Sequence, residues 1–460
     1  MRKMESFKRI IVLQLAGLNL LFQVALYAVL WFSNYADTIQ VYFWKRGHWL
    51  VIIIYGILLF AFSRMYGGYK IGYLKSVEVF FSQCFSTICV NIFSFFQISL
   101  LNGNLIKPGP LFKVTALDII GIGIWTVGSA WIYRSIFAPR ELLLVHGDRP
   151  IEDIKEKFKS RSDKYKICNC MNIAEGIDAI CKEAEKRYDA VVIWDVKTAD
   201  RNRILKYCYG KEIRVYIMPK ITDVIVKGSE QLHLFDTPIL LTREYSLKIE
   251  QRAIKRCIDL VCALLLLVIT SPIMLVTAIC IKSYDGGPVL YKQIRCTKGQ
   301  KEFGILKFRS MKVDAEKDGV ARLAAKNDSR ITPIGRFIRK VRIDELPQLL
   351  NIITGDMSFI GPRPERPEII KQYIEEMPEF AYRTRVKAGL AGYAQVFGKY
   401  NTTPYDKLKL DLFYIENYTI WLDIKLMMLT LKILLKPEST EGVDTAQVTA
   451  MKEDIQKSEE

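Results

Sequence analysis

The chain has 460 residues, half of them apolar, and a net charge of +17 from 66 Lys and Arg against 49 Asp and Glu. That length exceeds one hydrophobic core and leaves room for two or three domains. The positive excess suits nucleic acid, an anionic membrane face or phosphorylated substrates, and the gathering of apolar residues into long runs selects the membrane over nucleic acid.

Four segments reach the roughly 20 apolar residues a bilayer crossing needs: 10–32, 48–63, 80–101 and 112–133. The first is too long for a signal-peptide core and has no small-residue cleavage site after it, so it is expected to be retained. Arg2, Lys3, Lys8 and Arg9 flank its start, and Arg64, Lys70 and Lys75 occupy the second connection. By the positive-inside rule these faces are cytoplasmic, and four crossings return the chain to the cytoplasm near Arg134. Between 140 and 240 the pattern changes. Compact strand-like runs at Glu141–Val145, Ala190–Trp194 and Ile213–Ile217 alternate with helix-like stretches such as Ile151–Lys159 and Ala174–Lys186. That alternation predicts a parallel α/β layer. The turn after its first strand, His146-Gly147-Asp148-Arg149, lacks the GxGxxG that lets a pyrophosphate approach the backbone, so the module is expected to be structural or regulatory and to bind no dinucleotide.

Leu260–Ile281 is a run of 22 uncharged residues, long enough to span. Ser271-Pro272 lies at its middle, where proline removes a backbone donor and kinks a helix. Basic clusters flank both sides: Arg243, Lys248, Arg252, Lys255 and Arg256 before it, Lys282, Lys292, Arg295, Lys298 and Lys301 after. A spanning helix would leave one cluster outside. A helix that enters, breaks at Ser271-Pro272 and returns keeps both inside, provided the serine hydroxyl or packed protein satisfies the freed backbone.

Beyond it, KFRSM (307–311) places Lys307, Arg309 and Ser310 together after a strand-like stretch. TPIGRFIRKVRIDELPQLLN (332–351) opens on a Thr332-Pro333 helix start and leads through Arg342 to the adjacent acids Asp344 and Glu345, enclosed by Ile343, Leu346, Leu349 and Leu350. Acids in apolar surroundings with arginines nearby suit a nucleophile beside a metal ligand. Gly361-Pro362-Arg363-Pro364-Glu365 then forms a rigid loop presenting Arg363. The three histidines, His48, His146 and His233, all precede this half, so its chemistry falls to carboxylates, lysine, arginine or a metal. The ten cysteines include no CxxC pair and read as small buried hydrophobes.

KRCIDL with the Ser271-Pro272 break, KFRSM, IDELPQLLN, GDMSFIGPRPE, KAGLAGYAQV (387–396) and LDLFYIENYTIWLDIK (410–425) follow in order over about residues 250–436. Together they resemble the bacterial sugar transferases known as monotopic phosphoglycosyl transferases. The preceding helices and α/β module resemble their large WbaP-like subgroup. Where the family has a GxTG-type stretch this chain reads GLAG (389–392), a departure expected to touch local turn geometry.

The resemblance implies a membrane protein of mixed α and α/β class. Its parts are a four-helix transmembrane bundle (1–136), a Rossmann-like cytoplasmic module (137–245) and a mainly helical catalytic domain (246–436). A re-entrant helix covers about 255–282, and a disordered acidic tail (437–460) follows. It also implies an undecaprenyl-phosphate glycosyl-1-phosphate transferase of the inner membrane, catalytic domain on the cytoplasmic face, that begins exopolysaccharide or capsule assembly. Asp344 would attack the sugar-bearing phosphate of a UDP-sugar, releasing UMP. Undecaprenyl phosphate would then take the phosphosugar from the aspartate. Glu345 would hold Mg²⁺, and Lys307, Arg309, Arg342 and Arg363 would contact phosphate and nucleotide. The alternative for these cations is ion pairing with acids such as Asp259 or Asp411, which with Lys255 are read as supporting residues. UDP-glucose or UDP-galactose is the favoured donor and an N-acetylated sugar the runner-up. A non-catalytic scaffold sensing nucleotide-sugars and a processive glycosyltransferase releasing UDP are the competing readings. The α/β module offers a contact surface for a homodimer. The stretch from Lys407 through Leu435 reads as amphipathic helix at the interface or, equally, as core.

Overall fold

The computed structural model describes residues 2–37, 45–186, 188–234, 236–242, 247–312, 330–398 and 402–434. Arg243 and the expected acidic tail lie outside the described residues. The chain divides into two compact units, Met1–Met218 and Pro219–Glu460.

The first unit opens with four long helices, α1 (Arg2–Asn34), α2 (Lys45–Tyr66), α3 (Ser76–Asn102) and α4 (Gly109–Ile136), each containing a stretch long and apolar enough to cross a membrane. Leu13, Leu21, Ile57, Phe96 and Ile124 point outward, while polar groups turn inward and bond between helices. Tyr55 donates to Asn91 Oδ1 at 3.0 Å, Asn91 Nδ2 to Thr115 at 2.8 Å and Thr87 to Gln23 at 2.7 Å. Polar pairs are how helices recognise one another where lipid is as apolar as leucine.

An α/β layer follows: β1 (Arg140–His146), α5 (Glu152–Lys159), β2 (Tyr165–Asn172), α6 (Ile177–Ala184), β3 (Ala190–Trp194), α7 (Thr198–Gly210) and β4 (Arg214–Ile217). The strands are parallel in the order β2-β1-β3-β4. Leu143 and Val145 pack to one face with Ile180 and Ile204, Leu142 and Leu144 to the other with Ile154, so successive β1 side chains feed opposite helical layers. The edge strand β2 has no counterpart among the strands expected from sequence: with one side open, it carries Lys166, Asn169 and Asn172 and no continuous apolar run. After β1 the Gly147 amide bonds Trp194 O at 3.2 Å, and a side chain there would strike the Asp195 carbonyl; this glycine serves strand-end packing.

The second unit begins with α8 (Ile221–Lys227) and the exposed hairpin β5 (Glu230–Leu234) and β6 (Thr237–Leu241). The sequence expectation carried the module to 245; α8 sends Ile221 and Val224 into the same core as Leu408 and Leu412. Next come α9 (Ile249–Asp285), the antiparallel hairpin β7 (Leu290–Cys296) and β8 (Glu302–Phe308), α10 (Pro333–Lys340), α11 (Gln348–Thr354), β9 (Met357–Ile360), α12 (Pro367–Glu376), β10 (Ala388–Ala391), α13 (Tyr393–Phe397), α14 (Pro404–Glu416) and α15 (Ile420–Leu434). β9 and β10 pair in parallel, placing the GLAG stretch beside MSFI. Helices α14 and α15 supply Leu408, Leu412, Ile415 and Leu426 to the core, while Trp421 stands exposed.

Helical backbone continues through Ser271-Pro272 in α9. Proline at 272 removes one donor, the one that would serve the Val268 carbonyl four residues back, and Ser271 Oγ donates to that carbonyl at 2.8 Å. The orphaned acceptor is satisfied locally and the helix continues. Ser271→Ala is expected to cost ~1 kcal/mol, read as a lower melting temperature of the purified protein, while Ser271→Thr keeps the hydroxyl and the stability. Both ends of α9 sit on this one unit. Near the start Ala263 enters the core, Asp259 accepts from the Phe359 amide at 3.0 Å, and Arg256 donates to the Ile353 carbonyl at 2.7 Å. Near the end Ile281 packs with Phe308 and Ile338. Between them Leu265, Val268, Ile269, Leu275 and Val276 are exposed.

Candidate functional site

Helix α10 starts where Thr332 Oγ accepts from the Gly335 amide at 2.9 Å and Pro333 fills the first position. It ends in a reversal. Arg342 adopts φ 56°, ψ 24°, a left-handed conformation uncommon for a residue with a side chain. That reversal swings the chain into a 3-10 turn, Ile343–Glu345, before Pro347 opens α11. Ile343 and Leu346 anchor the turn in the small cluster formed by Ile281 of α9, Phe308 of β8 and Ile338 of α10. The two acids between them cannot follow into that cluster, and Glu345 lines a cleft with Arg295, Lys307, Gln348, Arg363 and Leu390.

Three cations converge on Glu345: Arg363 Nη2 lies 3.2 Å from Oε1, Arg342 Nη1 3.6 Å from Oε2 and Lys307 Nζ 4.0 Å from Oε1. Their consequence is a division of labour. Burial, joined by the charge of Glu345, raises the Asp344 carboxyl to about 6. Burial alone would raise Glu345 as well, but Arg363, Lys307 and Arg342 outweigh it and hold Glu345 at about 2. Burial also lowers the Lys307 ammonium to about 8, with Glu345 opposing. Adjacent carboxyls with separated affinities for the proton are an arrangement suited to two roles.

The supporting residues have identifiable work. Asn351 in α11 accepts from the Leu306 amide at 2.9 Å and donates to the Gly304 carbonyl at 2.9 Å, so β8 is stitched to α11 and Lys307 is carried to the acids. Asp259 accepts from Ser358 Oγ at 3.1 Å as well as from Phe359, fixing β9 to α9. Lys255 pairs with Asp423 at 2.6 Å, and Asp411 with Arg383 at 2.9 Å. Arg309 stands apart from the acids. Expected among the phosphate contacts, it forms a two-pronged ion pair with Asp285 at the end of α9 and donates to the Pro288 carbonyl at 2.8 Å. Arg309→Gln is accordingly expected to lower stability by about 1.5–3 kcal/mol while leaving turnover per folded molecule unchanged, checked by melting and activity on the same sample.

Sequence reasoning overlooked Arg295, Gln348, Asn351 and Arg383. Arg295 had counted only as one basic flank of the apolar run. It lines the cleft, bonds Gln293 and the Pro364 carbonyl, and is lowered by burial to about 10 with Glu365 opposing. The alternation of β7 was the available signal, since it sets Gln293 and Arg295 on one face.

Among the described residues no three His, Cys, Asp or Glu gather to cage an ion. Asp344 and Glu345 still offer one or two carboxylates, the donor set for a magnesium ion held jointly with substrate phosphates. Cations, an ionised carboxylate and a carboxyl poised to ionise suit transfer of a phosphoryl group.

Residues 250–437 match the family described as Bacterial sugar transferase. The chain is 38% identical over 259 residues to the UDP-N-acetylgalactosamine-undecaprenyl-phosphate N-acetylgalactosaminephosphotransferase of Aeromonas hydrophila, covering 54% of this chain and 59% of that protein. It is 38% identical over 190 residues to the UDP-glucose:undecaprenyl-phosphate glucose-1-phosphate transferase of Caulobacter vibrioides, covering 40% of this chain and 71% of that protein. With the uncharacterized sugar transferase EpsL of Bacillus subtilis it shares 39% over 197 residues, 43% of this chain and 94% of that protein. The chain spans about half the length of the larger curated relatives it matches.

Proposed function

The chain belongs to the bacterial sugar transferase family, and from that premise we propose that it moves a sugar 1-phosphate from a UDP-sugar to undecaprenyl phosphate in two covalent steps. The observation that carries this reading is the adjacent pair, half-buried Asp344 beside Glu345 with three cations converging on it. In the first step an Asp344 carboxylate oxygen forms a bond to the sugar-bearing phosphorus. The bond from that phosphorus to the bridging oxygen breaks, and UMP leaves with the electron pair. In the second step a phosphate oxygen of the lipid attacks the same phosphorus, and the aspartyl oxygen leaves as carboxylate. One hard displacement becomes two easier ones. Lys307, Arg342 and Arg363 counter the phosphate charge throughout. Glu345, with Asp344 beside it, would hold magnesium, whose charge screens the phosphates and favours the transition state.

Re-entry of α9 from the cytoplasmic face is supported by both of its ends being seated on the second unit while its middle is apolar and exposed. The four helices of the first unit would cross the inner membrane and form its transmembrane bundle. The turn that carries the acids is anchored through Ile343 and Leu346 in the cluster of Ile281 of α9, which supports chemistry at the membrane surface, within reach of a lipid phosphate.

Relatives at similar identity carry names with N-acetylgalactosamine, galactose and glucose, so the reading extends to a UDP-hexose and its N-acetylated counterpart. Purified protein with undecaprenyl phosphate and a panel of these three donors should release UMP with one of them. Release of UDP, or binding without release, overturns the reading.

A further inference from the structure

The loop Gly361–Glu365 that carries Arg363 is held from outside at each of its last four carbonyls. The Gly389 amide donates to Pro362 O at 2.9 Å, Arg383 Nη2 to Arg363 O at 3.0 Å, Arg295 Nη1 to Pro364 O at 3.3 Å and the Cys296 amide to Glu365 O at 3.0 Å. Gly361 begins the loop because the Lys387 carbonyl and Gly389 amide pass where a side chain would stand. Backbone amides fix the first and last of these four carbonyls. Its middle depends on two arginines.

They differ in kind. Arg295 lines the cleft and is placed to meet substrate, whereas Arg383 lies beneath the loop, 4% exposed, on the 3-10 segment Pro378–Arg385. Its Nε donates to Asp411 Oδ2 at 3.1 Å, and Nη2 lies 2.9 Å from the same oxygen. Nη1 approaches Glu365 at 3.8 Å, and the guanidinium rests 4.8 Å from the Phe380 ring centre. A core ion pair would need only the contact with Asp411. Placing a planar fork so that its Nε–Nη2 edge reaches Asp411 while Nη2 also takes the carbonyl of the residue whose side chain meets Glu345 is more than pairing requires.

We propose that Arg383 is a positioning residue for the transfer reaction: by holding the Arg363 carbonyl it aims the Arg363 guanidinium at Glu345 and at the phosphates beside it. The inference rests on the reaction proposed above, and it names a residue that reaches the chemistry only through another. Lysine at 383 keeps the charge, but its stem ends about one atom short of Nη2, the nitrogen that takes the Arg363 carbonyl. A misplacement of about 1 Å in such a group costs on the order of 10²-fold in rate.

The test uses the full chain in lipid nanodiscs with three variants: Arg383→Lys, Arg363→Ala and the double change. Arg383→Lys should lower kcat for UMP release on the order of 10²-fold per folded molecule. The double change should be no slower than Arg363→Ala alone, because both act through one group. Hydrogen exchange should quicken in Arg383→Lys at the amides of 343–346 as well as at Arg363. Wild-type kcat per folded molecule, additive losses, or quickened exchange confined to 378–385 each overturn the proposal. The exchange readout stands without turnover, so wild-type protein that releases no UMP sinks the functional reading while the positioning claim is still decided. If Arg383→Lys does not fold, Phe380→Leu, which removes the ring under the guanidinium, takes its place in the same cycle with the same readouts.

Discussion

Asp344→Asn is expected to lower UMP release by on the order of 10⁴-fold or more, the scale on which a covalent nucleophile is lost. Asparagine matches the aspartate in shape but offers a neutral amide, a poor nucleophile toward phosphorus. The change should not harm the fold. Asp344 sits against Glu345, and two like charges at one place repel, so the amide removes a repulsion that the wild-type protein sustains. Melting should therefore be unchanged or slightly higher, a separation of stability from activity that misfolding could not mimic. With the lipid acceptor withheld, a donor labelled in the sugar should leave label covalently on wild-type protein and none on the variant. Turnover by Asp344→Asn near the wild-type rate would remove the aspartate from the centre of the mechanism.

Lys255→Ala is expected to cost 3–5 kcal/mol, roughly the penalty for stripping one partner from a buried ion pair. Lys255 meets Asp423 at 2.6 Å, both side chains are largely buried at 13% and 6% exposure, and Tyr414 and Tyr418 donate to the same carboxylate at 2.8 and 3.2 Å. Without the ammonium the carboxylate remains desolvated with two hydroxyls as its only support. The double change Lys255→Met, Asp423→Leu should recover much of the loss, because replacing both charges by apolar groups leaves nothing unpaired. Melting of the purified protein measures both. A single variant within about 1 kcal/mol of wild type would show that the pair contributes little, as exposed pairs do.

Much of this architecture is legible in the sequence. Apolar runs announce apolar helices because length and composition are local properties, and Asp344-Glu345 stood out because hydrophobic neighbours fenced the acids in. What escaped was whatever depends on partners distant in sequence. Arg309 resembled a phosphate ligand in KFRSM, yet its partner is Asp285, and no spacing rule links them. Arg383 and Asp411 are 28 positions apart, and Arg383 and Arg363 are 20. In α9 the serine beside Pro272 satisfies the carbonyl that proline orphans, a compensation that only the folded backbone displays. The strand β2 escapes a sequence reading because an edge strand need not be apolar on both faces.

The anchored loop at 361–365 also constrains what the site can read. Its prolines carry no amide hydrogen, and its last four carbonyls are already engaged by Gly389, Arg383, Arg295 and Cys296. With those four carbonyls each already holding a donor, the loop presents a ligand chiefly with the guanidinium of Arg363. Such a surface speaks to groups that only accept, as phosphate oxygens do, and gives little to hydroxyls seeking an acceptor. Discrimination among sugars, which differ in the placement of their hydroxyls, must then come from other walls of the cleft. A protein whose relatives carry different hexoses could thus keep this loop fixed and vary the rest.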